Sequence, residues 1–158
     1  ATEYDAMDFE EPNTKFALAA LSLVDGLQEA EILDVGTGTA RIPILMAARR
    51  PGLSILAVDL AAEMIRIATG NVQRAGLADQ IRLELMDAKR LRVRAEHYDL
   101  VMCNSTLHHL PDPIAGLVEM ARAAKKDGYV IIRDLARPDT VADAWAIVKR
   151  AAAGDSSR

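Results

Sequence analysis

Cysteine is nearly missing from this sequence. Cys103 is the only one among 158 residues, so no internal disulfide can form, and an intracellular, cytoplasmic setting is expected. Long apolar runs are missing too. None approaches the ~18 consecutive apolar residues that a membrane span needs. The polar, acidic start Ala1-Thr2-Glu3-Tyr4-Asp5 lacks the character of a signal peptide. There is no basic excess: 19 Lys and Arg stand against 23 Asp and Glu, a formal charge of -4. A general nucleic-acid-binding face is therefore not expected. Repeats and low-complexity tracts are absent. What remains is 51% hydrophobic and 27% charged, which suits one globular domain over residues 1–158 with a single sizeable core.

The pattern that is present centres on Ile32-Leu33-Asp34-Val35-Gly36-Thr37-Gly38-Thr39-Ala40. It reads as a short buried strand that runs into a glycine turn, with a helix to follow from about Arg41 to Arg50. Glycine lets the backbone turn sharply and lets a ligand come close. The N–H groups at the helix start are expected to point at that ligand. Two phosphate-binding motifs fail here. The dinucleotide fingerprint G-x-G-x-x-G, counted from Gly36, needs glycine at position 41 and meets Arg41. The P-loop pattern of glycine, four residues and Gly-Lys-Ser/Thr does not occur.

Strands and helices alternate around this turn. A helix is expected from Asn13 or Thr14 to about Leu27, with Phe16, Ala20, Leu23, Val24 and Leu27 on its apolar face and Pro12 before its start. Leu53 to Val58 reads as a buried parallel strand. The next helix runs from about Ala61 to Ala75, burying Met64, Ile65, Ala68 and Val72. Ile81 to Met86 alternates apolar and polar residues, as an edge strand does. Lys89 to Glu96 reads as a solvated connector. Asp99 to Cys103 is a fourth strand, which makes Cys103 a buried small hydrophobe rather than a nucleophile. Asp112-Pro113 opens a helix with Ile114, Leu117, Val118 and Ala121 on its apolar face and Lys125 and Lys126 at its negative end. Asp127-Gly128 turns the chain into a strand at Tyr129–Ile132, and a last helix runs from Pro138 or Asp139 to about Ala152.

Five strand–helix repeats imply an α/β, Rossmann-like three-layer sandwich with a mainly parallel central sheet. Ligands of such sheets bind outside the carboxyl ends of the strands. Asp34, Gly36, Gly38, Asp59, Asp87 and Asn104 all fall at or just beyond those ends. Asp59 lies 23 residues after Gly36, near the ~20 expected of an acid that accepts both ribose hydroxyls. A helix cap is its competing role, but the next helix starts nearer Ala61. Asp87 can accept from an adenine amino group, with Ala88 N–H facing a ring nitrogen, or it can be a plain turn residue. Met64 lies against a cofactor or packs in the core.

Asp34-Val-Gly-Thr-Gly-Thr, Asn104-Ser-Thr-Leu-His-His-Leu-Pro-Asp-Pro and Gly128-Tyr-Val-Ile-Ile together resemble class I S-adenosylmethionine-dependent methyltransferases, in the small-molecule branch that includes quinone biosynthesis. Ala40 stands where the family's third glycine usually is. The resemblance implies S-adenosylmethionine as cofactor and S-adenosylhomocysteine as product. The rim carboxylates suit a cationic cofactor without phosphates. Asp59 takes the ribose and Asp87-Ala88 the adenine, and Leu60 is cofactor-binding as well. Asp34, the Gly36-Thr37-Gly38 turn and Asn104-Ser105 take the methionine head, and Tyr4 folds over the cofactor.

By that resemblance, residues 1–28 form a helical cap, 29–137 the cofactor core and 138–158 a helix and tail. The family's C-terminal β-hairpin is expected to be absent from this chain, with a second subunit one way to cover the exposed edge. The implied activity is in-line methyl transfer to a small molecule, which needs positioning above all. Acceptors that lose a proton also need a base, and His108 and His109 are the candidates. No third ligand accompanies them at metal-binding spacing. Two other functions compete: a non-catalytic domain of this fold that binds the cofactor or a partner, and an NAD-dependent oxidoreductase, which Arg41 disfavours.

Overall fold

The computed structural model describes residues 10–135, 139–143 and 145–146. Among these, the strands form one parallel sheet: β1 Ala30–Val35, β2 Leu53–Asp59, β3 Ile81–Leu85, β4 Tyr98–Asn104 and β5 Ala124–Arg133, in spatial order β3-β2-β1-β4-β5. The order reverses at β1, where β2 pairs on one side and β4 on the other. The loops after β1 and β4 therefore diverge and leave a crevice between them. The helices are α1 Glu10–Leu23, α2 Arg41–Ala47, α3 Ala62–Arg74 and α4 Pro113–Ala123, with a 3-10 turn at Leu107–His109.

Alternating side chains along each strand build two cores, one per sheet face. Ile32, Ile55, Ala57, Leu100 and Met102 pack under α1, α2 and α3, against Phe16, Ala20, Met46, Ala68 and Val72. Leu33, Val35, Leu56, Val58, Val101 and Cys103 pack on the opposite face with Met120 and Ala123 of α4. The sandwich is the expected one.

Several boundaries differ from the sequence reading, each for a local reason. Helix α1 begins before Pro12 rather than after it and stops at Leu23. The first helical turn has no N–H partners to lose, so proline is tolerated there. Leu27 falls beyond the helix end and is 41% exposed. Helix α2 ends at Ala47, short of Arg50. Helix α4 buries Gly116, Met120 and Ala123; of the expected Ile114, Leu117, Val118 and Ala121 face only Leu117 is half-buried, and Ile114 and Val118 are more than half exposed. A side chain added at Gly116 would stand 2.9 Å from Leu110 Cδ1, so that glycine brings α4 close to the loop carrying the histidines.

Lys125 and Lys126 do not sit at a helix end. β5 begins at Ala124, and Lys125 Nζ pairs with Asp99 Oδ1 at 2.7 Å. Asp127-Gly128 is not a turn either but part of that strand, beside an irregularity between Tyr98 and Leu100. A Cβ on Gly128 would stand 2.9 Å from Tyr98 O, so glycine permits the close approach of the two strands. The predicted final helix lies mostly outside the described residues; 141–143 and 145–146 are helical.

Candidate functional site

The turn after β1 is built on three left-handed residues: Gly36 at φ 77°, Gly38 at φ 57° and Ala40 at φ 63°. Glycine adopts this conformation without penalty, whereas Ala40 takes it as the residue before α2. The N–H groups of the turn itself, before the helix start, are taken up within the fold. Gly36 N and Thr37 N both donate to Val58 O, at 2.8 and 2.9 Å, and Gly38 N donates to Asp59 Oδ2 at 2.8 Å. The end of β2 takes all three, so the turn offers no cluster of open amides for a pyrophosphate.

Asp59, the last residue of β2, is the hub of this arrangement. Its second oxygen accepts from Ala61 N at 2.9 Å, which fixes the entry to α3. The carboxylate braces the turn before α3, whose N-cap is Ala61 with no side-chain cap, and it also lies on the rim of the crevice. Leu60 beside it is 63% exposed.

Asp34 is 2% exposed. Burial pushes its carboxyl up to about 7 from 3.8, and the Asp59 charge adds to the rise. The Thr37 hydroxyl lies near enough to offset part of the rise, yet Thr37 Oγ1 is buried without a hydrogen bond of good geometry. Burial outweighs that contribution. Cys103, one position before the end of β4, is fully buried; burial and the nearby Asp34 charge push its thiol up to about 12. It is the inert hydrophobe expected.

Beyond β3, Asp87 accepts from Lys89 N at 2.9 Å and from Lys89 Nζ at 2.9 and 3.0 Å. The Lys89 N–H and ammonium hold that carboxyl below its usual range. Lys89 is therefore not part of a solvated connector. It belongs to the site, and the sequence signal was its place two residues after a strand-end acid.

Asn104 closes β4, and its Oδ1 accepts from Arg133 Nε at 2.8 Å. Arg133 also donates to Pro12 O and lies 5.3 Å over the Phe16 ring. It thus ties the start of α1 to the end of β4. Ser105 follows at φ 53°. Thr106 Oγ1 then reaches Asn104 O at 3.1 Å and Gly36 O at 3.3 Å.

The loop after β4 is held by Asp134, just past the end of β5, to which the sequence analysis gave no role. Asp134 Oδ2 accepts from Thr106 N and Leu107 N at 3.1 and 2.6 Å, and Oδ1 meets His108 Nδ1 at 2.6 Å. Burial alone would raise this carboxyl. Hydrogen bonds from His108, Leu135 and Leu107 outweigh it and hold the group below its usual range.

These loops enclose a cavity of about 390 Å³. Asp34, Gly36, Thr37, Gly38, Asp59, Leu60, Met64, Asp87, Ala88, Asn104 and Ser105 all line it. Every cofactor residue read from the sequence within the described part is thus on one cavity. Tyr4 lies outside the described residues. Of the two histidines, His109 lines the cavity and His108 does not. Arg41, seen in the sequence only as a failed glycine, is on the wall as well, with Asn13 from α1.

The methyltransferase domain family matches residues 33–132. The chain is 31% identical over 115 residues to a ubiquinone biosynthesis O-methyltransferase of Nitrosomonas europaea, covering 73% of this chain and 48% of that protein. It is 32% identical over 128 residues to a malonyl-[acyl-carrier protein] O-methyltransferase of Geobacter sulfurreducens, covering 81% and 47%. The chain spans about half the length of these curated relatives. In fold it is similar to a SAM dependent methyltransferase of Aquifex aeolicus, at a TM-score of 0.61 and 23% identity, covering 84% of this chain and 77% of that one.

Proposed function

The chain belongs to the methyltransferase domain family, and on that premise we propose that it holds S-adenosylmethionine at the carboxyl ends of its strands for methyl transfer to a small molecule. The observation that carries the reading is the shared cavity: eleven residues read from the sequence as cofactor-binding line one space. The donor set suits this cofactor. A diol finds Asp59, an amino-acid head finds Asp34 and the Thr37 hydroxyl, and an adenine finds Asp87-Ala88, with Leu60 and Met64 on the same cavity. A Cβ on Gly38 would meet nothing within 4 Å, so the missing side chain leaves room for the ligand itself. A dinucleotide is served less well, because the turn amides are committed to Val58 and Asp59.

When bound, the cofactor supplies a methyl already made electrophilic by its sulfonium. The chain's residues bind, orient and exclude water, so the nucleophile meets the methyl in line. We further propose a cytoplasmic setting, in keeping with the single buried Cys103. Among the described residues no helix is long and apolar enough to cross a membrane. Self-association along β5 is proposed as well, where Tyr129, Val130 and Ile132 are exposed.

Calorimetric titration with S-adenosylhomocysteine, with NADH as control, tests the cofactor. Binding of the former alone is expected. Binding of NADH alone would replace this reading with the oxidoreductase one.

A further inference from the structure

The two adjacent histidines are separated by what the fold does with each. His108 turns to Asp134, with Nδ1 2.6 Å from Oδ1. An ionised carboxylate only accepts, so His108 Nδ1 carries the proton. The same carboxylate takes Thr106 N, Leu107 N and Leu135 N, so backbone and ring are pinned together. The His109 ring lies against the His108 ring, centroids 3.9 Å apart at an interplanar angle of 45°. Its back is thereby fixed while it lines the cavity beside Thr106, Leu110 and Pro111.

No described side chain or backbone group hydrogen-bonds the His109 ring. The other candidate bases on this cavity are committed or hidden. Asp59 accepts from Gly38 N and Ala61 N, Asp87 from Lys89, and Asp34 is 2% exposed. Arg41 and Lys89 are the cations on the wall. His109 alone, among the described residues, offers an uncommitted proton-accepting nitrogen to this space.

We propose that His109 takes the proton of a hydroxyl acceptor, and that Asp134, through His108, is the positioning residue that holds the ring. The inference rests on the methyl-transfer reading and narrows its substrate class to compounds whose nucleophile is an O–H group. In that step the O–H bond breaks and its proton passes to His109. The oxygen's electron pair forms the new bond to the methyl carbon, and the pair of the broken carbon–sulfur bond leaves with sulfur. The imidazolium then returns its proton to water.

The test separates this proposal from the cofactor assignment. The chain saturated with S-adenosylhomocysteine is titrated with 4-nitrophenol, whose ionised form is read by its absorbance. The wild-type complex should hold the bound phenol ionised at a pH where the free phenol is mostly protonated. His109→Gln should abolish that effect and Asp134→Asn reduce it, both with S-adenosylhomocysteine affinity within about threefold of wild type. Should Asp134→Asn unfold, His108→Asn probes the same link.

In transfer assays, His109→Gln should lose on the order of 10²-fold with 4-methylphenol but little with pentafluorophenol, which is ionised beforehand. Equal losses on both would mean a steric role and overturn the proposal. So would a wild-type complex that binds no phenol or binds it protonated. Either outcome leaves the cofactor assignment standing, since that falls only if S-adenosylhomocysteine itself does not bind.

Discussion

Gly36 and Thr106, seventy residues apart in sequence, meet across the site: a Cβ on Gly36 would stand 2.2 Å from Thr106 Oγ1. The first glycine of the turn is thus required by the loop after β4 as well as by its own φ of 77°. Gly36→Ala should cost at least about 2 kcal/mol of stability, read from urea midpoints. Thr106→Ala in the same chain should recover part of it, because the neighbour that collides is then shortened. Additive losses would mean that the two residues are not coupled.

Gly38 is the position that reports on the ligand. Nothing lies within 4 Å of its would-be Cβ, so Gly38→Ala pays only for its left-handed backbone, about 1 kcal/mol. S-adenosylhomocysteine affinity should nevertheless fall at least about tenfold, as the new methyl enters the cavity. Calorimetry on the folded variant decides it, and unchanged affinity would remove the turn from the binding surface.

Asp59 has two duties, and a truncation confuses them. Asp59→Ala would strip the bonds to the half-buried Gly38 N and the exposed Ala61 N, costing about 1 kcal/mol in all, most of it at Gly38. Asp59→Asn keeps an oxygen for one of those N–H groups and removes the charge. It should retain the fold, with a modest drop in melting temperature, while weakening S-adenosylhomocysteine binding at least about tenfold. A variant with full affinity would end the ribose assignment.

Asp34 should make stability fall as pH rises. Its folded-state carboxyl is pushed from 3.8 up to about 7, so between those values the native state holds a proton that the unfolded chain has lost. The penalty grows across that window to at most about 4 kcal/mol and is constant above it. Urea midpoints for the wild type should therefore decline from acid toward neutral pH relative to Asp34→Asn. Parallel pH profiles for the two proteins would rule the linkage out. Cofactor binding should release a proton near pH 7 if the ammonium head pairs with this carboxylate, seen as a buffer-dependent binding enthalpy.

Cys103 should resist alkylation in the native state at pH 8 and react once the chain is unfolded in urea. It is fully buried, with its thiol pushed up to about 12. Rapid native-state labelling would contradict the packing of β4 between its neighbours.

Much of the architecture was legible in the chain itself. The mostly apolar runs Leu53–Val58 and Leu100–Cys103, followed by Asp59 and Asn104, identify buried parallel strands, because strands covered on both faces read as near-continuous apolar runs. Glycines at 36 and 38 mark the turn, and the acids at 34, 59 and 87 mark the rim. Helix α4 was less legible. Its apolar residues suggested one buried face, but the fold buries Gly116, Met120 and Ala123. Glycine and alanine carry little hydrophobic signal, yet they permit the closest helix–sheet approach.

The sequence by itself determined the strand–helix alternation, the order of the rim residues and the failure of both phosphate motifs, since these follow from local periodicity and residue type. Tertiary structure alone decided who partners whom. It sent the turn amides to Val58 and Asp59, placed Lys89 on Asp87, set Thr106 against Gly36, and gave His108 to Asp134 while leaving His109 on the cavity. Those pairings join residues up to seventy positions apart. They arise because parallel strands bring their carboxyl ends to one edge, whatever their separation along the chain.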